Sequence, residues 1–460
     1  MDQPVQRDRT KELAEFVVGL TLSDLSDADT THLKGLVLDH LGVAFRGATL
    51  PWGEALSDWA APHDGSGKCQ VLGTNLSVTP AIAGMVNASC AHGLELDDTH
   101  DESVTHPGAV VIASALAVGT ELGLGAKDFL PAIVAGYEVM TRVGMATGAK
   151  DILEKGFHPT ALFGGFGAVA VAARLYGFSA DTLCEAWGLM LSMAGGSMQF
   201  SQDAFGTTVK RMHGGYGAHN GITAAEFARR GIAGPNQAFD GIYGLCNLFG
   251  STPDFDRLVP DGKSAFEIHR ISYKPYPCCR LFHSTIDALR DVTNGFTAAN
   301  DDITRIQVGG PASLQTQHML ARPTSMMAAQ YSLPYTLGAA LVAGPFDEAA
   351  FEPDRLNDTE ILKLADMVGA ETDQALEDAF PEHFGSWVEI TYRSGDKRRA
   401  DVLDSYGTPA NPMPFEALLE KFDGLVRAVK PDFDVSGVTT MLDSLTGLDH
   451  IFDLMTPFKN

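Results

Sequence analysis

The sequence predicts a mostly α-helical protein: a large all-helical domain, discontinuous over residues 1–265 and 410–460, with a smaller α+β domain inserted at 266–409. Three observations lead there. Apolar residues recur at helical spacing through the first half, and no stretch before about residue 265 alternates cleanly as a strand does. Stretches rich in β-branched and aromatic residues then appear, mixed with helical segments. Beyond Pro414 the pattern is helical again, and these last helices have too few partners of their own, so they are expected to pack back on the first half. A chain of 460 residues also exceeds what one hydrophobic core usually serves.

Taken in order, Leu13, Phe16, Val17 and Leu20, then Leu33, Leu36, Val37, Leu41 and Phe45, mark helices within residues 10–46, with capping residues between Asp24 and Asp29. Ala81–Ala91 and Ala109–Leu122 are apolar nearly all round, as buried bundle helices are, and their small side chains allow close approach. Phe129–Thr147 continues the pattern, with Glu138 and Arg142 spaced to pair. A helix is expected just after His158, another at Ala180–Met193, and another at Gly214–Gly231, closed by glycine. Strands are predicted at Phe266–Tyr273, Ile303–Val308 and Trp387–Tyr392, with helices at about His283–Val292, Ala328–Val342 and Ile361–Met367. Phe415–Val429 and Val438–Leu445 close the chain as amphipathic helices.

Composition narrows the function. The net charge of −25 argues against nucleic acid or an anionic membrane surface as partner, since either requires a basic face. An anionic substrate must instead be drawn in by a local group of Lys, Arg and His. The six cysteines show no CxxC spacing, which excludes a zinc ribbon or disulfide framework and suits a reducing, cytoplasmic setting. The opening MDQPVQRDRTKELAEF is polar, without the apolar run of a secretory leader, and no apolar segment is long enough to span a bilayer.

The chemistry concentrates at His92–His106, HGLELDDTHDESVTH, where three histidines and five carboxylates fall within fifteen residues. Such a density fits a proton-transfer site in which carboxylates and imidazoles hold one another in position. A metal site from His92, Asp97 and His106 is the alternative, although neither HExxH nor HxxEH occurs. Three further groups stand out against the acidic background. GFHPT places His158 before a proline and at the start of a helix, whose N-terminal amides favour an anion. Lys210, Arg211 and His213 form a basic, glycine-flanked loop without Walker spacing. Lys274, Arg280 and His283 sit in a proline-stiffened stretch, YKPYPCCRLFH. Together they predict a small substrate carrying several carboxylates.

Five motifs in order, LELDDTH with a following HPG, GFHPT, a lysine with a histidine three residues on, KPYPCCRLFH and SLPY, resemble the MmgE/PrpD family over nearly the whole chain. That family includes 2-methylcitrate dehydratase, cis-aconitate decarboxylase and iminodisuccinate epimerase. The resemblance implies a homodimer, no metal or other cofactor, and an active site between a helical and an α+β domain. It places the family's functional residues on Glu95, Thr99, His106, His158, Lys210, Lys274 and Tyr335. Glu95 stands where an aspartate is commoner, and VKRMH where TKPxH is commoner.

The resulting expectation is a cofactor-free lyase acting on a di- or tricarboxylate, with His106 and His158 transferring protons and dehydration favoured over decarboxylation. Lys210, Lys274 and Arg280 would hold carboxylates, with His213 and His283 beside them. Glu95 and Asp98 would orient imidazoles, Thr99 would donate a hydrogen bond, and Tyr335 would complete the site. An epimerase, or a non-catalytic carboxylate binder on the same scaffold, are the alternatives.

Overall fold

Pro107–Leu122 shows how the bundle is built: proline opens the helix, and every side chain from Pro107 to Thr120 is buried. Each fully buried Val or Ile here contributes about 1.5–3 kcal/mol, so packing rather than helix propensity holds the element in place. A computed structural model describes residues 7–202, 207–296 and 302–459, so the first six residues of the polar N-terminus lie outside it. Helix predominates throughout. Among the described residues no helix is long and apolar enough to cross a membrane.

The chain divides into two compact units, one comprising Met1–Ser197, Arg211–Ile271 and Pro414–Asn460, the other Met198–Lys210 and Ser272–Met413. The first contains α1 (Arg9–Gly19), α2 (Asp27–Ala48), α3 (Pro51–Ala60), α4 (Pro80–Gly93), α5 (Pro107–Leu122) and α6 (Ala126–Thr147). Helices Pro159–Tyr176, Ala180–Leu191, His213–Arg229 and Phe415–Val429 complete its main layer. Ser26 caps α2 by accepting from the Asp29 amide while the Asp29 carboxylate accepts from the Ser26 amide. The expected i,i+4 pair forms between Glu138 and Arg142, Nε to Oε2 at 2.6 Å. Small residues do bring helices together: a Cβ at Gly221 of His213–Arg229 would lie 2.4 Å from the carbonyl oxygen of Gly165.

The second unit carries a four-stranded sheet in the order Val368–Thr372, Ile303–Gly310, Ser386–Tyr392, Lys397–Val402. Its first pair is parallel and the other two pairs are antiparallel. Two of these strands, Ile303–Gly310 and Ser386–Tyr392, fall where predicted. The other two escaped notice because Lys397–Val402 is a charged, largely exposed edge strand and Val368–Thr372 holds a glycine and only two β-branched residues. Phe266–Tyr273 is corrected: a 3-10 turn, Glu267–Arg270, precedes only a two-residue strand, Ile271–Ser272. The helix expected over Ala328–Val342 is two, Met326–Gln330 and Leu333–Val342. Ser332 caps the second by accepting from the Tyr335 amide at 3.0 Å, and Pro334 fits its first turn.

Candidate active site

Two His-Pro steps organise the first unit. His106 is the N-cap of α5 and His158 the N-cap of helix Pro159–Tyr176, each in an extended or near-extended conformation imposed by the proline that follows. Each imidazole therefore leaves the backbone beside a helix N-terminus, where unpaired amides and the helix dipole favour negative charge. The two turns are tied together, for the His106 amide donates to Thr160 Oγ1 at 3.0 Å. The His158 amide donates to the Gly196 carbonyl at 2.9 Å.

Around them lies a cluster of four buried histidines. The ring centroid of His92 is 4.8 Å from that of His106 and 5.5 Å from that of His158, and His106 and His158 are 6.3 Å apart. His213, the first residue of its helix, meets His158 through the two Nδ1 atoms at 3.1 Å. The carboxylate of this cluster is Asp97: its Oδ2 lies 2.7 Å from His92 Nδ1 and 3.2 Å from His106 Nδ1. Burial alone would push the Asp97 carboxyl up, but the two imidazoles outweigh it and hold the group well below the ordinary carboxylate range. An anionic Asp97 can only accept, so the His92 Nδ1 proton points to it, and its charge lies 3.2 Å from His106 Nδ1.

Asp98, expected to orient an imidazole, does something else. Its Oδ1 accepts from the Gly108 amide at 2.7 Å and its Oδ2 from the Tyr137 hydroxyl at 2.6 Å, so it caps α5. Burial pushes its carboxyl up to about 7 against the pull of these donors. The two aspartates sit at a bend between α4 and Thr99–His100, which sends their side chains to different partners. The place of Asp98 also explains the glycine of HPG: a Cβ at Gly108 would lie 2.6 Å from Asp98 Oδ2 and 2.7 Å from the Tyr137 hydroxyl.

The rest of the loop is braced. Glu95, buried, has a φ of 61°, a left-handed conformation that an L-residue adopts only at a cost of about 1 kcal/mol or more. Thr99 donates its hydroxyl to Asp101 at 3.1 Å. His100 leaves the imidazole cluster, bonding Ser103 Oγ through Nδ1 at 2.9 Å and Glu267 through Nε2 at 3.2 Å, and Glu267 in turn pairs with Arg142. Arg211 stacks 3.7 Å above the Trp52 ring and donates to the Gly93 carbonyl at the end of α4. From behind, Lys421 of Phe415–Val429 donates to Asp39 and to the Leu96 carbonyl, both at 2.7 Å. Removing that buried cation in Lys421→Met leaves Asp39 buried without its partner, and is expected to cost about 3–5 kcal/mol, read as a lower thermal midpoint. Lys421→Arg should recover most of it.

The remaining predicted residues lie in the second unit. Lys210 and Lys274 are both fully buried, which is rare for an ammonium. Lys210 Nζ lies 5.4 Å from the centroid of the Tyr331 ring. The KPYP stretch is fastened to the turn around Ser405: the Tyr273 amide donates to the Gly407 carbonyl, and Arg280 donates to Ser405 Oγ at 3.0 Å. His283 is buried with its ring 5.1 Å from that of Tyr276. Tyr335 is a core residue whose hydroxyl faces the carbonyls of Ala350 and Arg355, at 2.8 and 3.0 Å, and burial pushes it up to about 12. Its hydroxyl proton is committed to these carbonyls.

With this geometry in hand, comparison with known proteins is decisive for the family. The MmgE/PrpD N-terminal domain matches residues 11–258 and the C-terminal domain residues 276–435. The chain belongs to the MmgE/PrpD family. Among its relatives within that family, the cis-aconitate decarboxylase of Aspergillus terreus is 26% identical, over 97% of this chain and 94% of its own. Those of Homo sapiens and Mus musculus are 26% and 25% identical, over 90% and 96% of this chain and 86% and 91% of theirs. Two members of the cluster have no proton-transfer signal in the sequence: His92 and Asp97 read there as metal-ligand candidates, and the placement of His92 on the last turn of α4, five residues before Asp97, is what forms their pair.

Proposed function

We propose that this protein is a cofactor-free lyase acting on a small unsaturated tricarboxylate of the cis-aconitate kind, removing one carboxylate as CO2. The observation that carries the proposal is the His106 imidazole, its Nδ1 3.2 Å from the Asp97 carboxylate, set beside His158 at two helix N-termini. Breaking the C–C bond leaves its electron pair on carbon as a carbanion conjugated with the double bond, and CO2 departs. An imidazolium N–H of His106 or His158 then delivers the proton that quenches the carbanion. The helix N-termini and the lysines Lys210 and Lys274 are assigned to the remaining carboxylates, and Arg280 and His283 to their positioning. The names of the relatives favour decarboxylation over the dehydration that residue chemistry alone preferred.

Two imidazoles in one cluster also suit a two-base epimerase, which takes a proton from one face of a carbon and returns one to the other. NMR in D2O with cis-aconitate, 2-methylcitrate, citrate and iminodisuccinate, each alone, separates the readings. Loss of CO2 with deuterium taken up supports the proposal. A new alkene from a hydroxy acid would move it to dehydration, and deuterium entering an unchanged skeleton would replace it with the epimerase. Calorimetric binding without turnover of any acid would leave only a carboxylate binder.

A further inference from the structure

We propose that His92, Asp97 and His106 form a latent inhibitory site for a borderline divalent cation of the Zn2+ class. One ligand atom from each of these residues lies within 4.8 Å of the other two. A tetrahedral zinc with bonds of about 2.0–2.1 Å keeps its ligands roughly 3.3 Å apart. Asp97 Oδ2 is now 2.7 and 3.2 Å from the two Nδ1 atoms, and no ligand atom of the trio is more than 4.8 Å from another, so a cation is accepted by side-chain adjustments of about half an ångström at the carboxylate and up to about 1.5 Å between the imidazoles. Two imidazole nitrogens and one carboxylate oxygen are a donor set that zinc and its neighbours prefer to calcium or magnesium. Three protein ligands leave one position for water, or for His158, whose ring is 5.5 Å from that of His92.

No spacing motif announces this set, because the ligands come from the end of α4, the loop and the residue before α5. The fold assembles them for another purpose, the proton transfer proposed above. A cation would take the Nδ1 positions, a neutral imidazole keeping its proton on Nε2 and an imidazolium releasing one to solvent, and would occupy the imidazoles needed for turnover. The binding stands independently of the reaction, whereas the inhibition rests on the function proposed above.

The test uses the chelator-stripped full-length protein and Co2+ as a coloured substitute. One equivalent per chain is expected to give a visible ligand-field band, which Zn2+ displaces. Affinity should fall about tenfold or more in His92→Asn and in Asp97→Asn, and remain unchanged when the exposed His63 and His450 are both replaced by alanine. X-ray absorption of the zinc-loaded wild-type protein needs no variant to fold and should show at least two imidazoles in the first shell. An all-oxygen shell, no band at one equivalent, or a band lost only in the His63 and His450 variant would overturn the site. Zn2+ should abolish turnover and a chelator restore it. Binding with turnover intact would remove the inhibitory role. A protein inactive on every carboxylate would sink the proposed reaction while the spectra still decided the site.

Discussion

Asp97→Asn is expected to lower kcat by about three to four orders of magnitude while the fold survives, by the logic that applies wherever a buried carboxylate sets the tautomer of a catalytic imidazole. The carboxylate accepts from His92 Nδ1 at 2.7 Å and lies 3.2 Å from His106 Nδ1. An asparagine of the same shape presents an amide that can donate, which stabilises the tautomer with its proton on Nε2 and leaves the reactive nitrogen in the wrong state. Steady-state kinetics on the acid identified by NMR provide the measurement, with circular dichroism to confirm the fold. Asp98→Asn is the control, since it touches α5 and Tyr137 rather than a histidine. Equal losses in the two variants would sink the role given to Asp97.

The second large effect concerns acid. Burial pushes His40 and His318 down to about 4 from an ordinary 6.5, partly offset by the charge of Asp97 for His40 and by the Tyr331 carbonyl for His318. At each of these two positions, as at His32, the unfolded chain takes up a proton over the interval from 6.5 to about 4 that the folded protein refuses. The contribution to stability is complete above pH 6.5 and is lost as pH falls toward 4. Each histidine is worth on the order of 3 kcal/mol over that interval, a large share of an ordinary folding free energy. Urea midpoints measured across this range should fall steeply, and His40→Gln and His318→Gln should each flatten the dependence. A flat profile in the unaltered protein would refute the assignment.

Much of the helical half was legible because its signal is local. Phe415–Val429 and His283–Val292 begin and end where their periodicity does, as amphipathic helices with one buried face should. The sheet was half legible, since a charged edge strand such as Lys397–Val402 carries no buried face to write a pattern. The His-Pro histidines could be read from sequence because proline constrains the residue before it, whichever fold surrounds the pair. The choice between Asp97 and Asp98 could not, since two adjacent aspartates have the same composition and different partners.

Periodicity, proline and ordered motifs are properties of the chain alone, and they carry the helical majority, the MmgE/PrpD membership and the residue types of the candidate site. Packing settles which carboxylate meets the imidazoles, that Asp98 caps α5, that Tyr335 is bound into a core, and that Lys421 reaches back to Asp39 and Leu96 from 382 and 325 residues away. Such contacts depend on where each side chain points after packing, and packing is settled by every neighbouring helix at once.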